Sequence, residues 1–322
     1  MNNRNSKNKV FQRIKQTLKM HPVIIVLLAL LIIFGSIYPD RFFSPINIKS
    51  ILRQFVTLML FALGPTFVVL TGSLDLSYVG VWMLGGVLVW MVKPILGIFA
   101  IIMIPVVGVT TGFLVGVIQT KAKIPSFILT LSLLMTYTGL AALLSEGYPR
   151  AVDGYEFITA PIIRYVPSTF LWTIPIIAAA IFFMKYTRIC VYLNAIGSNE
   201  EGARLAGINV DKYKILAFML SGGFTGVGAI ILFQHLGGSA QMELKLNTLV
   251  WPLVAIVLGG TPLTGGSGGP QRTLLGAITF TIFYRGLYLS ALHPTMVTLL
   301  VGVLLIVAII ISARGLKGVT VT

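Results

Sequence analysis

Long apolar blocks dominate this chain, and polar residues only punctuate them: no formal charge occurs in residues 22–39, 54–74, 76–92, 94–120, 124–145, 165–184, 215–242, 246–271 or 286–313. A helix rises ~1.5 Å per residue, so ~20 apolar residues cross the ~30 Å hydrocarbon core of a bilayer. The blocks predict about ten transmembrane helices, near 22–38, 51–71, 76–92, 95–119, 124–145, 167–185, 213–236, 247–260, 273–291 and 294–313. The block at 273–284 completes a span only by including Arg285. Two connections are long enough to carry structure of their own, 146–167 and 186–212.

Composition narrows the class. The chain has 322 residues, 56% hydrophobic and only 10% charged, against about 25% charged in a soluble domain. A water-soluble enzyme and a cytoplasmic DNA-binding protein are excluded, because so few charges cannot clothe a globule of this size. The remaining charge is lopsided, 24 Lys and Arg against 9 Asp and Glu. In a soluble chain that excess would suggest nucleic acid; in a membrane chain it sets orientation.

Placing the N-terminus in the cytoplasm and alternating sides puts 16 of the 24 basic residues inside and 7 outside, with Arg285 within a span. The outer set is Arg41, Lys49, Arg53, Lys93, Arg150, Arg164 and Lys245. The expected fold is therefore an all-α polytopic membrane protein of about ten transmembrane helices with both termini cytoplasmic. It divides into a basic cytoplasmic tail at 1–21, a single transmembrane domain at 22–315 and a C-terminal tail at 316–322. The first span reads as retained rather than cleaved, since its basic leader is long and 34–38 has no small-x-small cleavage site. The 146–167 loop then faces outward and 186–212 inward. Cys190 is the single cysteine, and His21, His235 and His293 are scattered, so neither a disulfide nor a metal site is expected.

Within the inward loop, residues 194–210 carry helix punctuation. Ser198 or Asn199 serves as N-cap, Glu200 and Glu201 suit the positive end of the dipole, and Gly207 terminates. Gly202, Ala203 and Ala206 let another surface come close. Taken alone, this segment reads equally as a linker helix or a docking helix.

The same segment resembles the cytoplasmic coupling region of ABC-importer permeases of the ribose/sugar type, which share a superfamily with branched-chain amino acid permeases. Gly197, Asn199, Ala203, Arg204, Gly207, Ile208 and Val210 fit the pattern Gly-x-Asn-x-x-Ala-Ala-Arg-x-x-Gly-Ile-x-Val, with Gly202 replacing the first Ala. Three further stretches resemble the family in the same order: Thr-Gly-Ser-Leu-Asp-Leu-Ser at 71–77, Lys-Ile-Pro-Ser-Phe-Ile-Leu-Thr-Leu at 123–131, and Val-Leu-Gly-Gly-Thr-Pro-Leu-Thr-Gly-Gly-Ser-Gly at 257–268, with Leu275, Gly276 and Ala277 beyond. The resemblance covers about residues 22–315.

The resemblance implies a multi-pass subunit of a prokaryotic cell (inner) membrane, translocating a monosaccharide such as ribose. Its implied partners are a cytoplasmic ABC ATPase, an extracytoplasmic substrate-binding protein, a second permease chain in a homo- or heterodimer, and membrane lipid. It assigns coupling to the ATPase to Gly197, Asn199, Glu200, Glu201, Ala203, Arg204, Leu205 and Gly207. No GxxxxGK[ST] loop occurs, so ATP and Mg belong to the partner, and this chain is expected to bind no cofactor, no nucleic acid and to catalyse nothing.

Pathway or substrate candidates are Asp75, Asn247, Trp251 and Arg285. Asp75 reads either as a pathway residue or, preferably, as a cap at the start of the third helix. Arg285, where the family commonly has Asn, either snorkels to the outer headgroups or favours an anionic substrate. Trp251 suits stacking on a sugar face or core packing, and Pro252 is expected to kink its helix. The glycine-rich 259–269 segment is too broken for a helix and suggests a turn that supports close packing. Gln54, Thr66, Gln119, Tyr137 and Gln234 are expected mostly to make interhelical hydrogen bonds. The competing functions are import of branched-chain amino acids or nucleosides, and gradient-driven secondary transport; no constellation supports an intramembrane enzyme.

Overall fold

The computed structural model describes residues 22–238 and 246–315. The basic tail at 1–21, the segment 239–245 with Lys245, and the tail at 316–322 lie outside the described residues. Regular structure among the described residues is helical. In chain order the helices are α1 (Pro22–Ile37), a short α2 (Pro39–Phe42), α3 (Pro45–Val69), α4 (Tyr78–Leu96), α5 (Met103–Ala122), α6 (Ser126–Leu144), α7 (Ser168–Tyr186), α8 (Ile189–Ser198), α9 (Glu200–Leu205), α10 (Val210–His235), α11 (Leu246–Leu258), α12 (Pro270–Leu289) and α13 (Pro294–Gly315).

Several helices outrun the charge-free blocks. α3 begins at Pro45 rather than near 51, because Ser44 Oγ accepts from the Asn47 N–H at 3.3 Å and Pro45 takes the first helical position, where a missing N–H costs nothing. Lys49 and Arg53 thus sit on its first turns. α4 likewise continues through Lys93 to Leu96. α5 starts at Met103 rather than near 95, since Gly97 takes φ +55° and a 3-10 turn, Gly97–Ile102, intervenes. The apolar stretch Tyr78–Ala122 is therefore two antiparallel helices, with Gly85 of α4 packed on Ile104 of α5.

The solvent exposure suits lipid. α6 turns Phe127, Ile128, Met135 and Leu143 outward, and α13 does so with Met296, Leu299, Val303 and Ile306. Five stretches among the described residues are long and apolar enough to cross a membrane: Pro45–Val69, Tyr78–Ala122, Ser126–Leu144, Ser168–Tyr186 and Val210–His235. α3 lies at the centre, buried nearly continuously from Phe55 to Val69 and packed against α10, α12, α11 and α7. Thr66 Oγ1 meets Thr273 Oγ1 of α12 at 2.8 Å.

Between lipid-embedded helices the hydrophobic drive is absent, and association depends on close backbone packing through small residues. α5 and α10 display this at Gly108, Gly112, Gly222 and Gly226. A Cβ added at Gly222 would lie 1.8 Å from the Gly108 carbonyl oxygen, and one at Gly112 would lie 2.1 Å from that of Phe218. The two backbones touch, so this crossing fixes the bundle that surrounds α3.

Candidate functional site

At one end of the bundle, three turns meet backbone to backbone. α3 ends in a tight turn with Gly72 at φ +74°. The 259–269 segment between α11 and α12 is a loop rich in left-handed glycines, among them Gly265 and Gly266. Gly266 N–H donates to the Leu70 carbonyl at 3.0 Å, and Ser198 Oγ at the end of α8 donates to the Gly266 carbonyl at 3.2 Å. Gly197 fills the remaining gap: a Cβ there would lie 2.0 Å from Leu70 O and 2.4 Å from Gly266 N. The Leu74 N–H also donates to Ser126 Oγ, at 2.9 Å, where α6 begins. The four separate sequence motifs thus form one junction.

α9 projects from this junction. Asn199 is its cap, with Oδ1 accepting from the Gly202 N–H at 2.9 Å, and Glu200 and Glu201 occupy its first turn. Its end is a Schellman turn: Gly207, at φ +82°, donates to Arg204 O, and Ile208 N–H reaches back to Ala203 O, both at 3.0 Å. Ala203 is buried against Ile196 and Val210, while Leu205 stands 85% exposed. Arg204 Nη2 lies 3.6 Å from both Glu200 and Asp211, and Lys214 Nζ lies 2.6 Å from Glu200. Such exposed pairs contribute little stability, roughly 0–1 kcal/mol each, but together they brace α9 against the first turn of α10. A charged cleft of about 540 Å³ runs beside α9, between Lys123–Pro125 and Asp211 and Lys214. In α8, burial pushes the Cys190 thiol up from its usual pKa.

A second feature lies between α3, α11 and α12. Gln54, Thr57, Asn247, Trp251 and Tyr284 line a cavity of about 310 Å³, and among the described residues no carboxylate, Lys, Arg or His lines it. Gln54 Nε2 is buried without a hydrogen-bond partner among the described residues, and Trp251 packs against Tyr284 with ring centroids 4.7 Å apart. Pro252 occurs within α11 and has no N–H to return to the Thr248 carbonyl. Nearby, the Tyr78 hydroxyl donates to Leu249 O at 2.6 Å. Neutral hydroxyl-rich ligands match this lining: amide groups donate and accept, and an aromatic face accepts C–H.

Asn247 and Trp251 are thus brought together, whereas Asp75 and Arg285 lie outside the cavity. Asp75 is buried, its carboxylate accepting from Ser77 N–H, Ser77 Oγ and Ser221 Oγ at 2.9, 2.6 and 2.7 Å. It joins the start of α4 to α10. Arg285 donates through Nε and Nη2 to Asn47 Oδ1, at 3.2 and 2.7 Å, and its guanidinium lies over Tyr288. Replacing Asn47 by Leu is expected to lower stability by about 1–3 kcal/mol, the cost of stranding a polar partner. Thermal unfolding in detergent reads this, and an unshifted midpoint would refute the bracing role.

A family model described as the permease component of branched-chain amino acid transport systems matches residues 47–309. The chain belongs to that permease family. The permease is 35% identical over 263 residues to a ribose import permease of Haemophilus influenzae, covering 79% of this chain and 80% of that protein. It is 30% identical over 305 residues to the ribose import permease of Escherichia coli, covering 90% and 92%. A xylose/arabinose import permease of Sulfolobus acidocaldarius is 26% identical over 296 residues, covering 89% and 82%. No solved structure matches.

Thr57 and Tyr284, which the sequence did not single out, also line the cavity, as does Gln54, one of the polar span residues expected mostly to bond between helices. The available signal was a polar amide isolated in an apolar run, with an aromatic-rich helix at Trp251 to complement it.

Proposed function

We propose that this chain is the membrane-spanning subunit of a binding-protein-dependent ABC importer that moves a neutral monosaccharide, such as ribose, through the cavity of Gln54, Asn247 and Trp251. The amide- and aromatic-lined cavity, uncharged among the described residues, carries the reading, and the named sugar permeases among its relatives support it. Import of a branched-chain amino acid fits less well, because no lining side chain among the described residues offers a charge to its ammonium or carboxylate.

The domain at 22–315 crosses the membrane about ten times with both termini in the cytoplasm. The junction and α9 then face the cytoplasm, where Gly197, Asn199, Glu200, Glu201, Ala203, Arg204, Leu205 and Gly207 form the contact with a separate ATPase that binds ATP and Mg. The chain itself holds no cofactor. It works paired with a second permease chain and receives substrate from an extracytoplasmic binding protein. Closure of the ATPase moves α9, and the backbone junction passes that movement to α3, α8 and the α11–α12 loop together.

The test is ATP-driven uptake in proteoliposomes containing the permease, its ATPase and its binding protein. Ribose and other labelled pentoses and hexoses are compared with leucine. Sugar uptake is expected, and Trp251→Ala is expected to lower it about tenfold, the effect of losing one aromatic contact. Leucine uptake with none of the sugars would overturn the substrate class, and uptake without the ATPase would overturn the mechanism.

A further inference from the structure

α9 sits between two helices that reach the same turn of the chain. On its N-terminal side, α8 brings Gly197 against Leu70 O, at the start of the turn that joins α3 to α4. On its C-terminal side, α10 brings Ser221, whose Oγ donates at 2.7 Å to the buried Asp75 carboxylate near the end of that turn. Asp75 also accepts from Ser77 N–H and Oγ, so its side chain fastens α10 to the N-terminus of α4. The backbone junction uses only the first of these two grips.

α9 is in turn tied to α10 at both of its own ends. Residues 206–209 join its last turn to α10 covalently, through the left-handed Gly207. Its first residue, Glu200, accepts from Lys214 Nζ at 2.6 Å. A peptide connection alone leaves soft dihedrals about which α9 can swing, and the second tie closes a triangle that removes the swing. Lys214 is the stronger ionic tie, since its side chain is only 14% exposed. The Arg204–Asp211 pair is longer, at 3.6 Å, and more exposed, and exposed pairs hold least. Lys214 and Ser221 stand seven residues apart on α10, two turns and about 10 Å along one side of the helix.

We propose that Lys214 and Ser221 are positioning residues of the transport cycle: Lys214 makes α10 follow α9, and Ser221 passes that displacement to α4 through Asp75. The proposal rests on the importer reading and gives its coupling device a second arm. Closure of the ATPase then displaces the α3–α4 turn from both ends, whereas a grip at Leu70 alone lets the turn rotate in place. Neither side chain offers a docking surface to the ATPase, because Ser221 is buried and Lys214 largely covered.

Ribose uptake and ATP hydrolysis, measured together in proteoliposomes of the full-length permease with its ATPase and binding protein, test the proposal as ribose moved per ATP. Lys214→Met, which keeps the apolar stem at a partly exposed site, and Ser221→Ala should each lower that ratio about fivefold, the low end of coupling between sites. ATPase co-purification should not change. The double variant should also fall about fivefold, whereas two residues this far apart ordinarily act independently and would together give about twenty-five-fold. Shifts in the thermal unfolding midpoint should add across the same pair, which separates transmission from stability. Lys214→Arg should retain the ratio, and so should Asp75→Asn, whose Nδ2 can donate to Ser221 Oγ in place of the lost acceptor. Wild-type ratios in both single variants would overturn the proposal, as would multiplied losses in the double variant. A loss in Asp75→Asn beside a normal Ser221→Ala would overturn it by placing the charge of Asp75 in the translocation path. Ribose uptake by the wild type without the ATPase would overturn the importer reading, and the proposal with it.

Discussion

Gly222→Ala is expected to destabilise the permease by about 3 kcal/mol or more, the upper end of the cost of overpacking, and Gly222→Leu to prevent its accumulation in the membrane. The added Cβ would fall 1.8 Å from the Gly108 carbonyl oxygen. Backbone cannot move aside as a flexible side-chain tip can, so α5 and α10 must separate. Separation breaks neighbouring contacts as well, because Gly112 closes on Phe218 O and Gly226 on Pro105 Cα in the same crossing. Gly139→Ala is the matched control, since a Cβ at Gly139 of α6 meets nothing within 4 Å. There the substitution adds up to ~1 kcal/mol of helix propensity. Unfolding in detergent, followed by intrinsic fluorescence, reads both variants. Similar midpoints for Gly222→Ala and Gly139→Ala would contradict the account of the crossing.

The transmembrane blocks were legible because lipid removes the helical period from exposed faces: the outward residues of α6 and α13 are as apolar as the core. Their ends were less legible. Charge-free runs stop at a charge, but Lys49 and Arg53 ride on α3 and Lys93 on α4, since a helix need not end where hydrocarbon does. Cap chemistry located α9 well, because Asn199 and Gly207 act through hydrogen bonds within a few residues. The junction was readable only as four motifs. Gly197, Leu70 and Gly266 are far apart in sequence, and glycine itself does not announce which backbone it admits.

Polar residues in the spans divided for a similar reason. Thr66, Gln119 and Tyr137 bond to Thr273, Ser73 and Thr111 at 2.8, 2.9 and 2.8 Å, whereas Gln54 lines the cavity and its buried Nε2 has no partner among the described residues. One-dimensional pattern cannot separate an amide that bridges helices from one that lines a cavity, since both are isolated polar positions on an apolar face.

Leu205→Asp and Gly197→Val should separate docking on the ATPase from transmission of its movement. Leu205 is the exposed apolar tip of a short helix whose other face is buried at Ala203. Burying a leucine contributes about 1.5–3 kcal/mol, and a carboxylate in its place adds a desolvation penalty. Affinity for the ATPase should therefore fall about a hundredfold, with co-purification and uptake lost together. Gly197→Val leaves Leu205 and the Asn199 cap in place but inserts a branched side chain where Cβ would already sit 2.0 Å from Leu70 O. α8 must lift from the turn after α3 and from Gly266. The ATPase should still co-purify, while uptake and its stimulation by the binding protein should fall at least about tenfold, within the range of coupling free energies between sites. Wild-type uptake by Gly197→Val would show that movement reaches the spans by another route, and undiminished ATPase binding by Leu205→Asp would place the docking surface elsewhere, with the charged cleft beside α9 as the next surface to mutate.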